Sequence, residues 1–373
     1  MRPKIALIQN GFVHGGVGRL MDNIIYRLGE MKFRLFSLNY HKTGYFHLDS
    51  TDVVRIPLHN KLLGIPLPAY LSDYLNYSNM LKAIRAWSPD LVVVNKGGME
   101  VEHLKLLSEG LPVPTVAYFH NLKGWMVRLS KRRKMTFTQR ALTKLLKTPS
   151  SDDLGACGDA ICVSLDVERD ANLLWPKIRT YLLYNGVDHS KFFPTWEDDN
   201  YLLAMGRISH QKRFHFLINA LKNTSYKLVI IGSFDSKLFS DRQKRYYEYL
   251  GSIANANVKI ILNPDEATLL TLLRRCSIFL HAGYNEGFGL ATLEAMACGK
   301  PVIAHKSGAT PEVLGQTGYL LDYNPADWLR KVDELMASSA LRREIGKLAY
   351  ERSLFFDWNK TALGFKEIIN KFL

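Results

Sequence analysis

Cysteine is scarce: Cys157, Cys162, Cys276 and Cys298 are the only four in 373 residues, and no two stand in a Cys-x2-Cys spacing. A disulfide framework and a thiolate zinc site are therefore not expected, and the thiols read as reduced and mostly buried. No uncharged apolar run reaches the roughly 18 residues of a membrane-spanning helix. A signal-peptide pattern is also missing, since Met1-Arg-Pro-Lys leads straight into the strand-like Ile5-Ala-Leu-Ile, and a cytoplasmic chain is expected. One acidic gap is local: residues 119–150 hold nine Lys or Arg and no Asp or Glu.

The length allows two cored domains, and 47% hydrophobic with 23% charged residues is an ordinary globular composition. A net charge of +14 points to anionic partners: phosphate ligands, an acidic membrane surface or nucleic acid. Apolar runs at Lys4–Gln9, Phe33–Asn39, Val53–Pro57, Leu91–Asn95 and Val113–Phe119 alternate with helical patterns near 20–28, 71–87 and 100–107. That alternation predicts an α/β fold, a parallel sheet covered on both faces with ligands beyond the carboxyl ends of its strands. Three such ends carry polar or flexible groups: Gln9-Asn10-Gly11, Asn95-Lys96-Gly97-Gly98 and His120-Asn121. Strands at 160–164 and 180–188 follow, and His189–Asn200, with Pro194 and Glu197-Asp-Asp-Asn200, reads as a linker. The alternation then restarts at Tyr201.

Three stretches suit phosphate. The first is Asn10-Gly-Phe-Val-His-Gly15-Gly16-Val-Gly18-Arg19, between a strand and an amphipathic helix. It is not Gly-x-Gly-x-x-Gly, and the second strand ends without an acidic ribose ligand, which disfavours NAD. A glycine loop serving only a tight turn is the alternative. The second is Gly206-Arg207 with Lys212 five residues on, where a planar fork and a point charge can converge on one diphosphate. The third runs from Ser277 to Gly318, and within it His281–Pro301: a β-rich run, a break at Gly287-Phe288-Gly289, and an apolar helical pattern from Leu290. Free amides at a helix start seat anions, and Glu286 and Glu294 can accept from hydroxyls on either side. A ligand with both phosphate and hydroxyls is a nucleotide sugar.

With its Glu-Gly-Phe-Gly, Glu-Ala-Met-Ala-Cys-Gly-Lys-Pro and Pro311-Glu312-Val-Leu elements, the Glu286-x7-Glu294 run resembles that of retaining glycosyltransferases of family four. Gly206-Arg207-x4-Lys212 is similar to that family's donor-phosphate element. The resemblance implies the GT-B architecture of two Rossmann-like domains facing a cleft. Residues 1–190 would be the acceptor side, with a C-terminal helix of about 356–373 packing back on it, and residues 200–355 the donor side. It implies transfer of a sugar from a UDP- or GDP-sugar to a glycan or lipid-linked acceptor. Arg207, Lys212 and the Phe288-Gly289-Leu290 amides would bear the phosphate charge, with Glu286 at the sugar hydroxyls, Glu294 at the ribose, and Gly287 among the donor-binding residues. His120 would contact the transferred sugar and Gly15 or Gly16 the donor phosphate, while Gly206, Gly232 and Asn263 complete the donor contacts. No cofactor and no metal is implied, and Asp-x-Asp is absent.

The basic stretch, residues 125–147, interleaves Arg128, Lys131, Arg132, Arg133 and Lys134 with Trp125, Leu129 and Phe137. Such a pattern can lie on an anionic bilayer, as a peripheral attachment to the inner membrane face, or form a solvated helix face. Two rival functions are a nucleotide-sugar epimerase of the same architecture and a non-enzymatic binder of anionic polymer. The convergent Arg, Lys and Glu set argues against the second, and nucleic acid is not expected as partner.

Overall fold

The computed structural model describes residues 2–9, 16–38, 52–56, 61–62, 65–66, 69–96, 110–123, 158–233 and 241–373. Gly15, Gly97-Gly98, the pattern at 100–107, the basic stretch 125–147 and Cys157 lie outside them. The chain forms two units, Met1–Tyr184 with Trp358–Leu373, and Asn185–Asp357.

The first unit holds β1 (Lys4–Ile8), β2 (Lys32–Leu38), β3 (Val53–Ile56), β4 (Lys61–Leu62), β5 (Ile65–Pro66), β6 (Leu91–Lys96), β7 (Thr115–Phe119), β8 (Asp159–Cys162) and β9 (Arg179–Leu182). Seven of these make a parallel sheet in the order β3-β2-β1-β6-β7-β8-β9, and β4 pairs antiparallel with β5. Leu91 to Val94 are fully buried, which is why this run is continuously apolar and not alternating. The helix Leu165–Leu174 starts where Ser164 caps it, its side chain accepting from the Val167 amide at 3.2 Å. The chain's last helix, Trp358–Ile369, packs on Gly16–Arg27: Arg27 donates to Asn359 at 2.9 Å, and Lys366 pairs with Glu30 at 2.9 Å. Its Phe365 stacks on Tyr118 with ring centres 6.2 Å apart.

The second unit holds β10 (Tyr201–Arg207), β11 (Lys227–Ser233), β12 (Val258–Leu262), β13 (Ile278–His281), β14 (Val302–His305) and β15 (Tyr319–Leu321), all parallel in the order β12-β11-β10-β13-β14-β15. Phe214, Leu217, Tyr246 and Trp328 fill the core on one face, and the Trp328 indole N–H donates to the Asp322 carbonyl at 2.9 Å. Strand order reverses beside β1 in one sheet and beside β10 in the other. At such switch points neighbouring strand ends diverge and leave a crevice.

The expected linker, His189–Asn200, groups with the second unit, and the division falls earlier, after Tyr184. Its acids are held in place. Asp198 accepts from Arg342 at 2.9 Å and from Ser277 at 2.9 Å, Arg275 pairs with Glu197 and Asp199, and Lys300 donates to the Glu197 carbonyl at 2.8 Å. A stretch that reads as linker by composition is thus fixed by cations distant in sequence. Among the described residues no helix is long and apolar enough to cross a membrane.

Candidate functional site

At the switch point of the first sheet, the residues closing β1, β6 and β7 join in one buried chain. Asn95 donates through Nδ2 to Gln9 Oε1 at 2.8 Å, and its Oδ1 meets His120 Nε2 in a short hydrogen bond. With Asn95 Oδ1 as acceptor, His120 carries its proton on Nε2 and keeps the Nδ1 lone pair. Burial pulls the His120 imidazole down to about 3, so it is neutral at pH 7, and it stacks on Tyr118 at 4.8 Å. Gly16 opens the helix Gly16–Arg27.

In the second unit the loops after β10, β13 and β14 are knitted together. Gln211 donates to the carbonyls of Tyr284 (3.1 Å) and Asn285 (3.3 Å), and Tyr284 N–H returns a bond to Gln211 at 3.1 Å. Asn285 N–H donates to Ser307 Oγ at 3.1 Å and Ala309 N–H to the Glu286 carbonyl at 2.9 Å. Gly308, at φ +59°, lies so close that a Cβ would stand 2.5 Å from the Glu286 oxygen.

Within this frame Lys212 donates to Glu286 Oε1 at 2.8 Å, and both side chains are only 13% exposed. The Lys212 stem crosses Gly206, where a Cβ would meet Lys212 Cε at 2.8 Å; this is the packing reason for glycine before Arg207. Burial pushes the Glu286 carboxyl up, but Lys212, His281 and Arg207 outweigh it and hold the group below its usual value. Arg207 ends β10 exposed, with no ion pair to any described residue.

The helix Leu290–Ala297 follows. Its cap Gly289 is left-handed at φ +96° with no side chain bonding the first turn, and Thr292 Oγ1 is buried without a partner. First-turn amides of such a helix are anion donors. Phe288 is buried against Phe356, ring centres 5.7 Å apart, and fixes the loop that holds Gly287. Glu294 is buried on this helix. Gly232 is glycine for packing, since a Cβ would stand 2.5 Å from Ile208 Cδ1. Asn263 is exposed at φ +45°, its N–H bonded to the Gly232 carbonyl at 2.9 Å.

The structure thus brings Lys212 and Glu286 into contact with Arg207 close enough to act on the carboxylate, while His120 and Gly16 belong to the first unit. Sequence reasoning missed Gln211, His281, Ser307 and Gly308. Ser307-Gly308 is a turn dipeptide and was the available signal; His281 had none. Among the described residues no cluster of His, Cys, Asp or Glu suits a metal ion.

A family model of glycosyl transferases group 1 matches residues 188–352, and a model of Glycosyltransferase Family 4 matches residues 14–191. An uncharacterized glycosyltransferase of Methanocaldococcus jannaschii is 24% identical over 369 residues, 95% of this chain and 94% of its own. Sucrose-phosphate synthase from Thermosynechococcus elongatus superposes with a TM-score of 0.73 at 18% identity, covering 99% of both chains. The Anabaena HepE protein, solved with UDP and glucose, gives 0.72 at 18% identity over 99% of this chain and 100% of that one. At these identities the solved structures speak for the fold.

Proposed function

From the premise that this chain belongs to the family-four type of GT-B glycosyltransferases, we propose that it moves a sugar from a UDP- or GDP-sugar to a glycan or lipid-linked acceptor, with retention at the anomeric carbon. The observation that carries the donor site is the buried Lys212–Glu286 pair beside Arg207 at the switch point of the second sheet. A cation and a carboxylate held together in a crevice can separate onto a ligand offering the opposite complement, phosphate for Lys212 and hydroxyls for Glu286.

As the bond from anomeric carbon to diphosphate breaks, its electron pair goes to the phosphate oxygen. Lys212, Arg207 and the amides around Phe288-Gly289-Leu290 stabilise that charge, and no metal is required. Glu286 holds sugar hydroxyls, Glu294 the ribose, and His120, neutral with a free Nδ1 lone pair, accepts from the transferred sugar. Gly15 or Gly16 faces the donor phosphate, and the loops at Gly232 and Asn263 meet the base. The charge of +14 supports an anionic acceptor surface such as the inner face of a membrane.

Thermal shift with UDP, GDP and ADP tests the donor site. One nucleotide at about 100 times its Kd stabilises the protein by about 2.7 kcal/mol, and Lys212→Ala and Glu294→Ala each abolish the shift. Full response in both variants sinks the assignment. Donor incubated with and without acceptor extracts then gives acceptor-dependent nucleoside diphosphate; an epimerised sugar with no acceptor present assigns an epimerase instead.

A further inference from the structure

His281 closes β13, and its side chain is 2% exposed. Its Nε2 has no hydrogen-bond partner, which is uncommon for a buried polar atom. That nitrogen lies 3.9 Å from Glu286 Oε1, the same oxygen that Lys212 holds at 2.8 Å. Both atoms reach this spot over Gly283, where a Cβ would stand 2.9 Å from Oε1 and 3.0 Å from Nε2. A shift of under about 1 Å would bring Nε2 and Oε1 into hydrogen-bond range.

A donor that draws Lys212 onto its diphosphate strips Glu286 Oε1 of the cation that bonds it, and an Arg207 drawn to the same phosphate gives it no replacement. An uncompensated buried carboxylate is strongly unfavourable, and sugar hydroxyls arrive as neutral donors. We propose that His281 is a positioning residue that takes over the Glu286 carboxylate, Nε2–H to Oε1, when Lys212 turns to the donor, so that Glu286 stays aimed at the sugar. The handover rests on the reading of Lys212 given above. His281 touches no ligand itself; it acts through Glu286. The groups facing it are Glu286, Lys212 and, from β14, His305, whose Nδ1 is committed to the Leu321 carbonyl at 3.1 Å. With His305 committed to the backbone, His281 Nε2 is, among the described residues, the unpartnered ring nitrogen that faces Glu286.

Two measurements test this. In calorimetric titration, His281→Phe and His281→Asn lose affinity for UDP and for UDP-glucose alike by about tenfold to a hundredfold, the range of a hydrogen bond to a charged group, because either diphosphate draws Lys212 off Glu286. His281→Gln, whose amide reaches the Nε2 position, restores the affinity for both. Without ligand, thermal unfolding of a cycle of His281→Phe and Lys212→Ala shows a larger loss for His281→Phe once Lys212 is gone. Wild-type affinity for UDP and UDP-glucose in the Phe variant, or a strictly additive cycle, overturns the inference. If the wild type binds no uridine nucleotide, the UDP-donor reading falls, and the ligand-free cycle alone decides whether His281 can hold Glu286.

Discussion

Lys212 holds Glu286 and, in the proposed function, turns to the donor diphosphate, so its removal has two separable effects. Lys212→Ala leaves Glu286 as a buried carboxylate without its cation, a loss on the order of 3 kcal/mol measured by chemical denaturation. The pH dependence has a definite sign. Glu286 has a folded pKa below its unfolded one, so its contribution is complete above the ordinary carboxylate range and is lost as pH falls through the depressed folded value. In the variant burial dominates, the folded value rises, and stability instead declines as pH climbs from about 4.5 toward neutrality. A Lys212→Ala profile parallel to the wild type between pH 3 and 7 would contradict this. His120 offers the same test in the first unit. Its folded value of about 3 lies below 6.5, so the native state holds its full contribution above pH 6.5 and loses it as pH falls toward 3. The slope for one proton is at most about 1.4 kcal/mol per pH unit. His120→Asn flattens the stability profile in that window; an unchanged slope would mean the imidazole is not buried neutral.

Between elements, the loops after β10, β13 and β14 place the charged pair, and two glycines separate framework from function. Gly308→Ala adds strain at a left-handed φ and drives a Cβ into the backbone of Glu286, so it destabilises by more than about 1 kcal/mol. Gly206→Ala is strained at φ +156° and meets the Lys212 chain from Cγ to Cε, so it destabilises by about 1 kcal/mol or more and also loses nucleotide binding because Nζ is displaced, which Gly308→Ala does not cause directly. Thermal unfolding paired with nucleotide titration separates the two, and a Gly206→Ala variant that binds normally would remove Lys212 from the donor site. The apolar runs made these strands legible, because burial on both faces of a parallel sheet leaves a continuous signal. The Gly-Arg-x4-Lys and Glu-x7-Glu elements were legible because strand, loop and helix are contiguous. What local pattern could not show is contact across crossovers: Lys212 and Glu286 are 74 residues apart, and they meet only because β10 and β13 are neighbours. The Gln9–Asn95–His120 chain was hidden for the same reason. Each end was visible as a polar group after a strand, but their order in the sheet was not.

At the scale of the molecule, the chain leaves the first unit after Tyr184 and supplies it again from Trp358 onward. Truncation after Asp357 removes the partner of the helix Gly16–Arg27 and uncovers Tyr118, so limited proteolysis should degrade the first unit and leave a resistant fragment near residues 185–357. An equally resistant first unit would show that the last helix is dispensable to it. The central claim is the seat of the diphosphate, and a crystal structure of the protein with bound UDP tests it most directly. The account predicts phosphate oxygens within hydrogen-bond reach of Lys212 Nζ, Arg207 and the amides that open Leu290–Ala297, with Glu286 released from Lys212. UDP bound in the first unit, or bound while Lys212 and Glu286 remain 2.8 Å apart as they are without it, would contradict it.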